Sequence, residues 1–227
     1  MKVSAVVLAR VLAFIDAADL IPKGGASLHD LTTEVGKYFR FQKSPRTFED
    51  LDLSKGIEFI DGRFGKRSIG KFVIWPSILV LETQVSTDAG KELIGDILQW
   101  GKERLGLDYD PGMITRFGYL SNLSFYSPAP LLSLSPLLER ISTRTTEALT
   151  EIWKEPIVYE PLEIKVGHDP LTRKWPIAPF QITRRAEHKF SENKYFSEAP
   201  LPTDLHVSLL EEYESGILEL HRKKKVQ

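Results

Sequence analysis

Arg184, Arg185, His188, Lys189, Lys194 and Tyr195 form the densest group of chemistry-bearing residues in the chain, next to Phe190 and Phe196. Cations interleaved with aromatic rings are what single-stranded nucleic acid or a phosphorylated ligand would engage, through charge and base stacking. Glu187, Glu192 and Glu198 offset that charge locally. The competing reading is therefore a solvated strand face with ordinary surface charge. Arg222-Lys223-Lys224-Lys225 is the other basic run, and it ends a helical pattern where the backbone already favours cations.

Other catalytic constellations are weaker. The histidines are His29, His168, His188, His206 and His221, and none lies three or four residues from another, so no helical zinc pair exists. No metal site is expected. Ser86 stands between Val85 and Thr87 without the flanking glycines of a strained nucleophile turn, which makes it a helix cap rather than a nucleophile. Lys23-Gly24-Gly25 lacks the order of a phosphate loop, in which lysine follows the glycines and precedes Ser or Thr; an inter-helix turn explains it. Glu82, Asp88 or Asp204 acting with His188 or His206 would need the fold to assemble them, as a general acid and base must lie within hydrogen-bond reach.

Composition narrows the classes. Thirty basic against thirty-one acidic residues leave a net charge of −1, which lacks the broad positive field of a protein that lives on phosphate backbones. No cysteine occurs, so disulfides, thiolate nucleophiles and cysteine-ligated zinc are excluded. This usage fits a cytoplasmic protein. Arg10, Asp16 and Asp19 interrupt the apolar stretch from Val3 to Leu20, which argues against a signal peptide and against a membrane span of ~20 apolar residues.

The elements that would position these residues can be read from periodicity. Val3, Val6, Val7, Val11, Phe14 and Ile15 suit one face of a first helix over 3–20, and a second begins at Ser27 and runs through Leu28, Leu31, Val35 and Tyr38. Residues 1–45 thus read as a helical N-terminal segment. Ile57 to Ile60, Ile69 to Trp75 and Ile78 to Val85 read as a three-strand meander, with Asp61-Gly62 as its first turn. A helix follows from the Ser86 cap to Gly106, then a half-buried strand over Ile114–Tyr126, then a helix opened by Ser135-Pro136 and carried to about Lys154. Leu162–Val166 and Phe180–Arg185 alternate as strands, and Thr203-Asp204 opens a last helix.

No repeat at a fixed period and no long linker is apparent. These observations predict one α+β domain over 1–227, with a sheet and two helices over 56–187 and a C-terminal helix over 203–225. The sheet is expected to be mixed, mostly antiparallel, with about five to six strands and helices packed on it. With no catalytic motif, the leading expectation is a non-catalytic interaction or self-assembly protein, homo-oligomeric or bound to another protein. Its support is the aromatic strand Phe117–Phe125 and an exposed sheet edge that a partner could cover. The alternatives are a nucleic-acid-associated factor using residues 184–195, and a hydrolase with an assembled Asp/Glu/His site. No cofactor and no membrane contact are expected.

Overall fold

The computed structural model describes residues 1–22, 27–172 and 176–224. Among them are eight strands and four helices: β1 (Lys2–Phe14), α1 (Leu28–Tyr38), β2 (Ile57–Phe64), β3 (Arg67–Ile74), β4 (Ile78–Thr83), α2 (Thr87–Leu105), β5 (Arg116–Tyr126), α3 (Pro136–Trp153), β6 (Glu163–Val166), β7 (Phe180–Arg184), β8 (Lys194–Ala199) and α4 (Thr203–Lys224). The strands form one antiparallel sheet in the order β2-β3-β4-β1-β5-β8-β7-β6. The α+β class holds, and the sheet is larger than periodicity indicated.

The first expected helix is a strand. Ala9, Val11, Ala13 and Ile15 are buried while the residues between them are not, a period of two. The stretch is apolar on both faces, so positions spaced by three and four and positions spaced by two fit it equally well. Four valines, stiff at χ1, favour the extended form. Arg10, read as an interruption, pairs with Glu82 on the neighbouring β4 at 2.7 Å, where the two residues stand in register.

Asp61-Gly62 is not the meander's turn. Both residues lie inside β2, and β2 and β3 pair without slip from Ile57 opposite Ile74 to Phe64 opposite Arg67, so the turn falls at Gly65-Lys66. Asp61 takes a positive φ of 54°, where its short polar side chain is better tolerated than a branched one. Gly62 passes so close to the Phe41 ring that a Cβ there would come within 2.4 Å of it. The glycine thus serves packing against Phe41.

β8 was hidden in the basic cluster. Tyr195, Ser197 and Ala199 face inward and Lys194, Phe196 and Glu198 do not, a clean alternation in which serine breaks the apolar signal. Two of the helix caps read from sequence are in place, whereas Ser27 at the start of α1 makes no side-chain cap bond. The Ser86 hydroxyl accepts from Ala89 N at 3.1 Å and Gly106 closes α2 with φ 71°, while the Ser135 hydroxyl accepts from Leu137 N at 3.2 Å at the start of α3.

The order strand, helix, three strands, helix occurs twice, short 3-10 turns aside. Outward from the middle, the sheet reads β1, β4, β3, β2 on one side and β5, β8, β7, β6 on the other. The chain is therefore an architectural duplication that leaves no trace as a sequence period. Thr87 and Thr203, at matching positions in the two copies, cap each other: each backbone N–H donates to the other's hydroxyl, at 3.0 and 2.8 Å.

Two compact units emerge from the packing, Val6–Ser121 with Pro200–Thr203, and Met1–Ala5 with Asn122–Ala199 and Asp204–Gln227. The first is built on aromatic rings. Phe39 meets Trp100 edge-on at 4.8 Å, and Phe41, Phe59 and Phe72 continue the chain of rings among Ile57, Ile69, Leu81 and Ile94. The second is organised around Phe125, Leu131, Ile182, Tyr195, Leu210 and Ile217, all buried. Burying each such side chain stabilises by about 1.5–3 kcal/mol.

Candidate functional site

The β7–β8 hairpin carries the basic and aromatic residues singled out in the sequence, with Arg184 directly opposite Tyr195. Arg184 is nearly enclosed. Its guanidinium pairs with Glu160, donates to Phe190 O at 2.9 Å, and lies 4.6 Å from the Phe190 ring centroid and 5.6 Å from that of Tyr195. The Tyr195 phenol, fully buried, accepts from Leu131 N at 3.0 Å and donates to Asn193 Oδ1 at 3.2 Å. Burial raises its pKa above the usual tyrosine value. These two residues hold the unit together.

The rest of the cluster stays at the surface, already engaged. His188 Nδ1 meets Glu192 Oε2 at 2.7 Å, and this hydrogen bond, with the backbone N–H of Lys189, holds the Glu192 carboxyl below its usual pKa. Arg185 lies 5.8 Å from the Phe196 ring centroid and Lys194 Nζ 4.8 Å from that of Tyr126. The aromatic faces that would stack on bases are thus covered by the protein's own cations.

Ser197 and His206 are a hydroxyl and an imidazole brought together in the interior of the second unit. Ser197 Oγ lies 2.8 Å from His206 Nε2 and 2.7 Å from Gln181 O, and both side chains are fully buried. A hydroxyl has a single hydrogen, and a carbonyl can only accept. That hydrogen therefore goes to Gln181, and His206 is the donor to serine. An activated serine requires the reverse polarity and access for a substrate. The Phe180 ring, edge-on to the imidazole at 5.7 Å, completes a packed environment.

Of the carboxylates expected to act with histidine, Glu82 is paired with Arg10 on the sheet, Asp88 lies in the first turn of α2 and Asp204 in the first turn of α4. His168 bonds its own turn, with Nδ1 2.9 Å from Asp169 O and Nε2 accepting from Ile177 N at 3.2 Å. Among the described residues no group of three or more His, Cys, Asp or Glu could hold a metal ion. Lys23, Gly24, Gly25 and Lys225 lie outside the described residues. No helix among the described residues is long and apolar enough to cross a membrane.

One apolar cavity of about 100 Å³ opens in the first unit between α1, α2 and the sheet, lined by Leu31, Val35, Phe72, Ile97 and Trp100 among others. Thr32 in its lining has its hydroxyl held by the Leu28 and His29 carbonyls, and the other named groups are apolar.

The strand Phe117–Phe125 is not an edge. β5 lies between β1 and β8, and the sheet's edges are β2 and β6. The unpartnered surface is elsewhere, on α3. Two tyrosines fix where this helix starts: Leu131, in the loop before it, gives its N–H to Tyr195 and takes the Tyr213 hydroxyl on its carbonyl at 2.7 Å. Thr146 and Thr150 then bond the returning segment, at Tyr159 N (2.9 Å) and Ile157 N (3.3 Å). None of the 18 residues of α3 is buried, although the helix is strongly amphipathic. Leu137 is 70% exposed, Ile141 60%, Ile152 70% and Trp153 66%.

Sequence reasoning passed over this face because amphipathic periodicity announces a helix and is normally spent on the chain's own core. Val158, Tyr159 and Leu162 in the returning segment and Val166 on the edge strand β6 are exposed as well. The sequence matches no protein-family model and no curated protein.

Proposed function

We propose that this chain is a non-catalytic interaction or self-assembly protein that works by docking the apolar face of α3 against a protein surface. The observation that carries this reading is an amphipathic helix of 18 residues with none buried. Exposed apolar patches beyond a few hundred Å² on a folded protein mark interaction surfaces. In the first architectural copy the equivalent helix, α1, buries Thr32 and Gly36 and turns Leu31 and Val35 into the cavity lining. In the second, the equivalent face is left for something else to cover. A cysteine-free composition suits work in the reducing cytoplasm.

The test is photo-crosslinking in the cell from residue 152, with Ile152 replaced by a benzophenone amino acid. Protein adducts are expected at this position, and none from an equivalent replacement at Lys165 on the polar side of β6. Absence of any protein adduct from position 152 overturns the reading.

A further inference from the structure

We propose that the surface covering α3 is α3 of a second copy of this chain, packed antiparallel across a two-fold axis; this rests on the docking role of that face. The argument lies in the charges beside the apolar stripe. At 3.6 residues per turn, Leu137, Ile141, Ala148 and Ile152 share one line along the helix. Arg140, Arg144, Glu147 and Glu151 line one flank of that stripe, and the uncharged Thr145, Thr146, Leu149 and Thr150 lie on the other side. Thr146 and Thr150 are bonded to the returning segment, so the chain's own body occupies their side. The charged flank faces away from it. All four charged residues are exposed, and no ion pair is made to any of them among the described residues.

Within a lone helix Arg144 and Glu147 are an opposite pair at i and i+3, but the rest of this arrangement is unfavourable. Arg140 and Arg144 are like charges at i and i+4, as are Glu147 and Glu151, and such pairs destabilise an isolated helix. The cations also precede the anions along the axis, opposite to what the helix dipole favours. An antiparallel copy reverses both effects. In an antiparallel pair each flank meets the same flank of its partner, whereas in a parallel pair it would meet the opposite, uncharged flank. A two-fold axis near residue 145 then places Leu137 against Ile152 and Ile141 against Ala148 of the second copy. The same axis puts Arg140 beside Glu151 and Arg144 beside Glu147 of the second copy. Isologous symmetry makes every contact twice. The small Ala148, on the stripe and close to the axis, allows close approach of the two helices.

Sedimentation of the purified full chain between about 1 and 100 µM, at low ionic strength, tests this. Wild type is expected to reach twice 25.8 kDa. Arg144→Glu sets like charges face to face at two symmetry-related places and is expected to weaken the dimer about tenfold or more, whereas Arg144→Glu with Glu147→Arg is expected to restore it to within about threefold of wild type. Both positions are exposed, so the fold tolerates the changes, and circular dichroism verifies this. A wild-type chain that stays monomeric at about 100 µM overturns the second copy as partner. So does a dimer indifferent to the charge reversal. Neither result touches the docking role, which stands or falls on whether position 152 crosslinks to protein at all; adducts to a different protein alone would keep that role and remove this partner.

Discussion

Residue chemistry in this protein is spent inward. Arg184 and Tyr195, which in sequence look like an anion and base-stacking pair, instead close the β7–β8 hairpin around Glu160, Phe190 and Leu131. Tyr213 shows the same economy: its hydroxyl donates to Leu131 O and its burial pushes the phenol up to about 12. An unfolded tyrosine ionises near ~10. Between those values the unfolded state has lost a proton that the folded state keeps, so stability falls as pH rises from about 10 towards 12. Below pH ~10 this group contributes no slope. Urea denaturation across that window is expected to show the decline, and Tyr213→Phe to flatten it while lowering the baseline by about 0.5–1.5 kcal/mol through the lost hydrogen bond.

Elements are placed by close approaches that only small residues permit. α2 crosses β1 and β4 at Gly90, where a Cβ would stand 2.9 Å from Val11 Cγ2, 3.5 Å from Thr83 Cγ2 and 3.6 Å from Leu81 Cδ2. Gly90→Ala would gain about 1 kcal/mol in helix propensity. Overpacking a buried seam costs about 1–3 kcal/mol, and the branched Val11 has no free rotamer to yield. The second effect wins. Thermal denaturation is expected to show a net loss of up to about 2 kcal/mol for Gly90→Ala. By contrast α3, tied down at the loop before it and at Thr146 and Thr150, keeps an apolar line free.

For the whole molecule, the unpartnered apolar face of α3 is a liability unless association covers it. If the assembled form is the native one, dilution must destabilise it by mass action. The melting temperature is accordingly expected to rise with protein concentration for wild type and to become independent of it for Ile141→Asp, as differential scanning calorimetry would show. The near-zero net charge of −1 works in the same direction, since weak self-repulsion does not oppose assembly.

The residue sequence by itself determined the elements whose signals are local. The Ser86 and Ser135 caps, Gly106 as a left-handed stop, and the alternation along β5, β6 and β7 are read within one turn or one pleat of the chain. Three things waited for tertiary structure. Whether Val3–Leu20 is helix or strand depended on its pairing with β4, because a run apolar all round carries no period that separates the two. The turn assigned to Asp61-Gly62 was moved by Phe41, a contact distant in sequence. The doubling of strand, helix, three strands and helix appears only in strand order, since packing constrains burial and backbone direction while leaving side-chain identity free to diverge. The candidate surface follows the same division: the amphipathic pattern of α3 was plain in its residues, and only the packed chain decided that this face, unlike that of α1, is left uncovered.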